Sequence, residues 1–359
     1  MAELLKNMLN PTSIRDLALV VKSEYPSFKV EAFLSSTMDE TWDGLELKAR
    51  GRKISVTLGK YLPKDYKKAI SIIDKVIPKC EGFMPMVFPD FVEVYGQDEK
   101  DWNISVKALE RYTKYGSSEF AVRPFIMKDS ERMMEQMYAW TKHENEHVRR
   151  LASEGCRPAL PWGQALKEFK KDPTPVLPIL EALKNDSSLY VRKSVANNLN
   201  DISKTHPDLV IKLAKKWYGK TDQTNWVVKH GLRTLLKRAN PEALAIFGYH
   251  SATLDVTDFK IEKQSLKIGE SNAFSFVVVA KDPTKVRLEY GIDYVKANGR
   301  TNRKIFQISE TSLVANKKKS YMKKHSFANL STRKHYPGTH SLTLIINGVE
   351  KDKLDFELT

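Results

Sequence analysis

The sequence is poor in cysteine, with only Cys80 and Cys156 in 359 residues. Neither belongs to a CxxC pair or lies near a histidine cluster, which argues against a disulfide framework and against a cysteine-based zinc site. His143 and His147 have the i, i+4 spacing of metal ligands, but no third ligand accompanies them. We therefore expect no metal site in this chain.

A long apolar run is also missing. No segment has the roughly 20 uninterrupted apolar residues that a membrane-spanning helix requires. The first residues, MAELLKNMLNPTSIRDLA, alternate apolar and charged residues as an amphipathic helix does, without the basic region and apolar stretch of a signal peptide. These features predict a soluble, cytoplasmic protein with no membrane partner.

Acidic residues are in deficit, with 44 against 59 lysines and arginines, which gives a formal net charge of +15. An excess of this size favours a polyanionic partner, either a nucleic acid or an anionic membrane surface, and charge alone does not separate the two. Of these we favour nucleic acid.

The pattern of apolar residues predicts two domains. Residues 1–250 show mostly helical spacing, although Gly51 leaves open whether 42–62 form one helix or two. Residues 251–359 alternate apolar and polar residues in eight short runs bounded by turn residues, which is typical of an immunoglobulin-like β-sandwich. The predicted fold is mainly α, a HEAT-like helical-repeat solenoid, followed by this all-β domain.

A local pattern recurs in the helical part: FAVRPFI (120–126), EHVRRLASEG (146–155), YVRKSVANNLNDIS (190–203) and, more loosely, NWVVKHGLRTLLKR (225–238). The copies lie about 25 to 45 residues apart, as expected for stacked helix pairs. Each copy would bury its valine and leucine face and project basic residues to one side. Any single arginine there is more simply explained as solvating a helix end or pairing with an acid. The recurrence nevertheless predicts a curved basic surface that fits a nucleic-acid duplex, lined by Arg123, Arg149, Arg150, Arg192, Lys193, Lys229 and Arg233.

A second concentration of positive charge lies in the β region. The segments GRTNR (299–303) and KKKSYMKK (317–324) fall in predicted loops or strand ends. A basic run is usually just solvated, but here it flanks Tyr321, which could stack on a base. We therefore predict a second phosphate-binding patch formed by Lys317, Lys318, Lys319, Lys323 and Lys324.

Four segments carry a resemblance to a known family. The chain resembles the HEAT-like repeat alkylpurine DNA glycosylases, and in particular their AlkC branch, in SSEFAVRPFI, then VRRLASEGCRPALPWG about 25 residues later, then SLYVRKSVANNLNDISK and NWVVKHGLRTLL. The resemblance is dense over residues 101–249, and the immunoglobulin-like domain also fits that branch. It implies a monofunctional enzyme of base excision repair that needs no cofactor and acts, as a monomer, on double-stranded DNA containing N3-alkylated bases such as 3-methyladenine and 3-methylcytosine. Such enzymes are thought to engage the lesion without a deep base-flipping pocket.

The resemblance also implies roles for individual residues. Glu154 and Trp162 match the catalytic acid and aromatic of the ASEG and LPWG elements, and Glu119 matches a second acid in SSEFAVRPF. Arg157 in the same motif is expected to contact DNA. Seen alone, Glu154 would more often be a solvated surface acid, and Glu119 could instead cap the helix that follows it.

The chemistry of an N3-alkylated base is consistent with these roles. Such a base already carries positive charge, so it leaves as a neutral molecule, and the difficulty lies at the sugar. A carboxylate near C1′ stabilises the oxocarbenium character there and orients the attacking water, as in glycoside hydrolysis. We assign this task to Glu154, with Glu119 sharing it. Trp162 would attract the cationic base by a cation–π interaction.

Two other functions remain open on the sequence alone. A non-catalytic DNA-binding scaffold would keep the same charge, and a protein-binding helical-repeat scaffold would make the basic face incidental. The presence of Glu119, Glu154 and Trp162 favours the enzyme.

Overall fold

The computed structural model describes residues 4–250, 254–330 and 333–359. Helices end at Ile246 and strands begin at Leu254, in agreement with the predicted change of structure near residue 250. The compact units divide differently from the predicted domains. One unit contains the residues up to 206 together with 219–231, and the other contains 207–218 together with 232–359.

The described part of the chain contains sixteen α-helices. Their bounds are α1 Pro11–Glu24, α2 Val30–Thr37, α3 Leu47–Tyr61, α4 Tyr66–Val76, α5 Val87–Tyr95, α6 Trp102–Tyr112, α7 Val122–Lys128, α8 Ser130–Trp140, α9 Glu146–Gly155, α10 Lys167–Lys171, α11 Leu177–Leu183, α12 Leu189–Ile202, α13 Pro207–Trp217, α14 Asp222–Gly231, α15 Arg233–Lys237 and α16 Pro241–Ile246. None of these helices is long and apolar enough to cross a membrane.

Helix α9 packs among other helices of the first unit. It packs against α8 and α12, and α12 packs in turn against α14. The predicted apolar faces are those that are buried, with Val148 and Leu151 on α9 and Val191 and Val195 on α12. Full burial of one such side chain stabilises the fold by about 1.5–3 kcal/mol. The helical repeat expected from the recurring pattern is therefore observed as a series of helices packed side by side.

The region before residue 97 is also helical, and α3 packs against α5. A short 3-10 turn at Trp42–Gly44 precedes α3, which continues unbroken through Gly51. Gly51 faces the side chain of Met86, where an added Cβ would lie 3.6 Å from its Cε atom. Residues 42–62 therefore contain one 3-10 turn and one α-helix, and Gly51 does not divide the helix.

The second unit is built around an eight-stranded β-domain. The strands are β1 Leu254–Ile261, β2 Ser265–Leu266, β3 Ser271–Ala280, β4 Thr284–Val295, β5 Thr301–Leu313, β6 Lys319–Ser326, β7 Gly338–Ile346 and β8 Val349–Leu358. They form a three-stranded sheet in the order β1-β3-β6 and a five-stranded sheet in the order β2-β8-β7-β4-β5. Among the described strands, only β2 and β8 pair in parallel. Phe274 and Phe276 from the first sheet and Leu288 and Leu344 from the second share one core.

Helices α15 and α16 belong to the same unit as the β-domain because the chain packs back on itself there. Asn347 donates a hydrogen bond from Nδ2 to the carbonyl of His250 at 2.9 Å. Gly348 has a φ of 77°, and a Cβ at this position would lie 2.6 Å from the Cβ of Ala239. A boundary at residue 250 would therefore cut through a packed unit.

Candidate active site

Helix α9 brings Glu154 into the interior of the first unit. Asn145 caps the start of the helix by accepting a hydrogen bond from the backbone N–H of His147. At the other end, Gly155 permits close packing, since a Cβ there would lie 2.6 Å from a methyl group of Val122. Glu154 is only 5% exposed, so it is not a solvated surface acid.

Glu154 lies between two arginines. Its Oε1 accepts a hydrogen bond from Arg157 Nη1 at 2.6 Å, and Arg150 Nη2 lies 3.7 Å from the same oxygen. Arg157 Nε also donates to Asp201 Oδ2 on α12 at 2.9 Å. Asp201 in turn accepts from Lys204 at 3.0 Å. Charges of opposite sign therefore alternate through this buried region, as a buried ion-pair network requires.

Glu119 joins the same network from the other side. Its Oε2 is 2.8 Å from Arg150 Nη1 and accepts a hydrogen bond from Ser117 Oγ at 2.8 Å. Helix α7 begins at Val122 without a side-chain cap, so Glu119 does not have the capping role that its position allowed. These ion pairs link five residues in space, and we call them the acid–arginine network: Glu119, Arg150, Glu154, Arg157 and Asp201.

Each of the two glutamates has one anchored oxygen. Within the described ranges, the hydrogen bonds and ion pairs of Glu154 involve Oε1, and those of Glu119 involve Oε2. No hydrogen bond from a described residue reaches Glu154 Oε2 or Glu119 Oε1. Both carboxylates are thus oriented by arginine through one oxygen each.

The arginines of the network remain charged. Burial by itself would lower the pKa of Arg157, but the carboxylates of Glu154 and Asp201 raise that pKa overall. For Arg150 burial again acts to lower the pKa, and Glu119 and Glu154 reverse the effect. The guanidinium of Arg150 also lies over the ring of Tyr190, 4.7 Å from its centroid.

Glu119 and Trp162 line one cleft of about 430 Å³. The cleft is also lined by residues of α3, of α5 and of the segment between them, including Lys48, Met86 and Asp90. Trp162 is 73% exposed. Glu154 is not among the described residues that line the cleft, and it is connected to Glu119 through Arg150. The structure therefore brings Glu119 and Trp162 together and leaves Glu154 one arginine away.

Several predicted DNA contacts are instead internal. Arg123 is 1% exposed, and its guanidinium donates to the carbonyls of Gly155, Arg157 and Gln164 at 2.6 to 2.9 Å. Burial lowers the pKa of Arg123 to about 10. Arg157 is 7% exposed and paired with two acids. The prediction of a DNA-facing role is wrong for both, because their donors hold the motif segment in place.

The remaining basic positions of the repeat differ among themselves. Arg149 forms an ion pair with Asp186 at 2.6 Å, and Arg192 donates to the carbonyls of Asp186 and Ser187. These two arginines therefore anchor the segment between α11 and α12. Lys193 and Lys229 are exposed. Arg233 is at the start of α15 and belongs to the second unit.

The predicted lysine patch of the β-domain is divided. Lys317 and Lys318 precede β6. Within β6, Lys319 and Lys323 lie on the face that also carries Tyr321, whereas Lys324 lies on the opposite face because side chains alternate along a strand. Lys319 Nζ donates to Thr311 Oγ1 at 3.0 Å. The five lysines therefore do not form one surface.

A different basic cluster was missed from the sequence. The described residues that line a hollow on the β-domain include five cations and no acid, namely Lys296, Arg300, Lys304, Arg333 and Lys334. Repulsion from Arg333 lowers the pKa of Lys304. The GRTNR segment was the available signal, but Arg303 within it is paired with Asp293 and Glu350. We call these five residues the β-domain basic cluster.

Asp201 is a second residue of the site that was not predicted from the sequence. It lies on the buried face of α12 with Asn198, at a spacing of three residues among apolar positions. Polar residues on an otherwise apolar helix face are expected to have polar partners. That pattern could have indicated an internal partner for a basic residue elsewhere.

Comparisons with known proteins identify the family. Residues 97–235 match the family described as DNA alkylation repair enzyme, and residues 255–359 match the C-terminal Ig-like domain described for YhaZ. The chain is 36% identical to the Pseudomonas fluorescens alkylpurine DNA glycosylase AlkC, solved bound to DNA containing an abasic site analog. That match covers 99% of this chain and 100% of the other, with a TM-score of 0.96. This chain belongs to the AlkC family of alkylpurine DNA glycosylases.

A second relative is similar along its whole length. The Bacillus subtilis (strain 168) protein YhaZ, described as uncharacterized, is 50% identical over 355 residues, which is 99% of each chain. The resemblance drawn from SSEFAVRPFI and VRRLASEGCRPALPWG is confirmed, and both segments lie within the matched residues 97–235. The helical-repeat region and the C-terminal immunoglobulin-like β-domain are likewise those of the family.

Proposed function

We propose that this protein is a monofunctional DNA glycosylase that excises N3-alkylated, cationic bases, 3-methyladenine and 3-methylcytosine, by hydrolysing the N-glycosidic bond. It would act as a cytoplasmic monomer in base excision repair on double-stranded DNA. We also infer that its helix pairs stack as HEAT-like repeats. The observation that carries the proposal is the pair of glutamates whose carboxylates are oriented by Arg150 and Arg157, with one oxygen of each receiving no hydrogen bond from a described residue.

The proposed reaction begins with a base that is already cationic. When the C1′–N bond breaks, the electron pair leaves with the base, which departs as a neutral molecule, and positive charge develops at C1′. The carboxylate of Glu154 stabilises that charge. Water then adds to C1′, and its proton passes to a carboxylate, which leaves an abasic sugar. Water and the two acids suffice, so the reaction as proposed requires no metal or organic cofactor.

The other two residues serve selection and orientation. Trp162 has an exposed indole on the rim of the cleft that Glu119 lines, where it can attract a cationic ring more strongly than a neutral one. Glu119 is held by Ser117 and Arg150 and would orient the attacking water together with Glu154.

DNA would be held by cations that face the solvent. The β-domain basic cluster is the strongest candidate in the second unit, because no described acid lines it. Further phosphate contacts can come from the exposed lysines Lys193, Lys229, Lys317, Lys318 and Lys324. Arg149, Arg150 and Arg192 would instead act indirectly, by fixing the segments on which those contacts depend.

The test is release of bases from a methylated DNA duplex by the full-length protein, followed by chromatography of free 3-methyladenine, 3-methylcytosine and 7-methylguanine. We expect the first two to be released and Glu154→Gln to be slower by about 100-fold or more. Glu144→Gln, which alters an exposed acid just before α9, is the matched control and should behave as wild type. If wild type and Glu154→Gln release these bases equally slowly, the glycosylase assignment is lost and a non-catalytic DNA-binding scaffold is favoured.

A further inference from the structure

The backbone of Trp162 has an unusual conformation. Its φ is 62°, in the left-handed region that bulky residues rarely adopt. The indole is mostly exposed, so packing of the side chain does not compensate for this conformation. Backbone strain of this kind persists only where the surrounding structure enforces it. Other contacts must therefore hold the residue.

Among the described residues, three hydrogen bonds involve residues 160–164, which include Trp162. The N–H of Gly163 donates to the carbonyl of Leu160 at 3.1 Å, which closes the turn. Arg123 Nε donates to the carbonyl of Gln164 at 2.6 Å. Lys48 Nζ donates to the carbonyl of Trp162 itself at 2.8 Å. Of the three, the bond from Lys48 alone involves Trp162 directly.

Lys48 is located so that it connects both cleft residues of the proposed site. It lies on α3, 114 positions before Trp162, and outside the residues that match the DNA alkylation repair family. Its ammonium group also lies over the ring of Phe120, 4.0 Å from the centroid, and Phe120 directly follows Glu119. One cation from the N-terminal helices thus touches the segments that carry Trp162 and Glu119.

We propose that Lys48 is a positioning residue, which holds the backbone of Trp162 in its left-handed conformation and thereby keeps the indole on the rim of the cleft beside Glu119. The N-terminal helices, to which no chemistry could be assigned from the sequence, then form the support of the aromatic side of the site. This inference rests on the proposed function for its effect on catalysis. The hydrogen bond from Lys48 to the carbonyl of Trp162, called the clamp below, exists without DNA and can be measured separately.

The experiment compares full-length wild type, Lys48→Gln and Lys48→Arg. In protein labelled with 5-fluorotryptophan, the fluorine NMR signal of Trp162 is assigned from its loss in Trp162→Phe. We expect Lys48→Gln to shift or broaden that signal in the free protein and to lower the single-turnover excision rate by about tenfold. Lys48→Arg, which retains a donor, should restore most of both. Lys60→Gln removes the same charge from an exposed position on α3 and should match wild type.

A different role for Lys48 would give a different pattern. If Lys48 bound a DNA phosphate, Lys48→Gln would weaken DNA affinity and flatten its salt dependence while leaving the single-turnover rate unchanged. That result, or an unchanged Trp162 signal, would overturn the proposal. Absence of excision by wild type would contradict the proposed function and not the clamp, which the fluorine signal tests alone.

A double substitution completes the test. In a Trp162→Ala background there is no indole left to position, so adding Lys48→Gln should cause no further loss of rate. Independent, additive losses would show that Lys48 does not act through Trp162.

Discussion

Two clusters of positive charge in this molecule have opposite surroundings. In the acid–arginine network, Arg150 and Arg157 lie between Glu119, Glu154 and Asp201, and all five side chains are largely buried. In the β-domain basic cluster, five cations share a hollow that no described acid lines. The same residue types therefore orient carboxylates in one place and remain available for an anion in the other, a distinction that a net charge of +15 does not make.

The two surroundings have different energetic consequences. A buried carboxylate that loses its cation remains as an uncompensated charge, which is strongly destabilising. Removal of an exposed cation from a group of like charges relieves repulsion and changes stability little. Substitutions in the network should therefore reduce stability, whereas substitutions in the basic cluster should reduce binding.

The largest effect is expected for Arg157→Met. Removing the guanidinium leaves Glu154 and Asp201 without their main buried partner, so the free energy of unfolding should fall by about 3–5 kcal/mol in urea denaturation. Lys193→Met, which removes an exposed cation from α12, should change it by less than about 0.5 kcal/mol. Equal stability of the two variants would contradict the expectation that a buried, paired cation contributes more to stability than an exposed one.

A second effect follows from the buried histidine beside the basic cluster. Burial, with a smaller contribution from Arg333, lowers the pKa of His325 to about 4. The unfolded chain, with a pKa near 6.5, binds a proton that the folded state does not bind, so stability is full above about pH 6.5 and is lost as the pH falls towards 4. Protonation of His325 in the unfolded chain lowers the free energy of unfolding by at most about 3 kcal/mol.

Thermal unfolding at pH 7 and pH 4.5 tests this linkage. The loss of stability between the two pH values should be smaller for His325→Gln than for wild type, because the variant has no ring to protonate. An identical loss in both proteins would show that His325 does not titrate on unfolding. His325 also contacts Tyr290 and Tyr294, at 2.8 and 2.7 Å, so each protein is compared with itself across pH and not with the other at one pH.

The basic cluster should affect DNA binding and not stability. We expect the double variant Arg300→Gln, Lys334→Gln to bind an undamaged duplex about tenfold more weakly and to lower the salt dependence by about one unit for each phosphate that is no longer neutralised. Its urea midpoint should match that of wild type. Unchanged affinity would show that an acid-free cluster is not sufficient to mark a DNA contact. Surface variants are preferable here to a truncation near residue 249, which would cut through the second unit.

The smallest effect concerns the divided lysines of β6. Lys324 and Lys323 are adjacent in sequence but lie on opposite faces of the strand. Lys324→Gln should therefore weaken DNA binding by about two- to threefold, and Lys323→Gln should change it less. Equal losses in the two variants would indicate that strand face does not decide which lysines reach DNA.

Much of the fold could be predicted from the sequence. All eight predicted strands are present, and the apolar faces of α9 and α12 are the buried ones, because periodicity reports burial directly. The motif also identified Glu154, Glu119 and Trp162, which the structure connects through Arg150 and one cleft. The roles of these three side chains as catalytic groups remain a prediction.

The pairing of charges could not be predicted in the same way. Arg149 meets Asp186 across 37 positions, and Arg157 meets Asp201 across 44. Arg123 turns inward to three carbonyls, which no side-chain pattern reveals. A basic residue at a repeated position is therefore predictable, whereas its exposure depends on partners that only the fold brings near.

The proposed role of Glu154, stabilisation of the sugar during cleavage of the N-glycosidic bond, is open to direct measurement. The measurement is the single-turnover rate of 3-methyladenine release from a defined duplex, for wild type and Glu154→Gln at saturating enzyme. We expect a fall of about 100-fold or more in the variant, with affinity for undamaged DNA unchanged. Equal rates, or no release by the wild-type protein, would contradict this role.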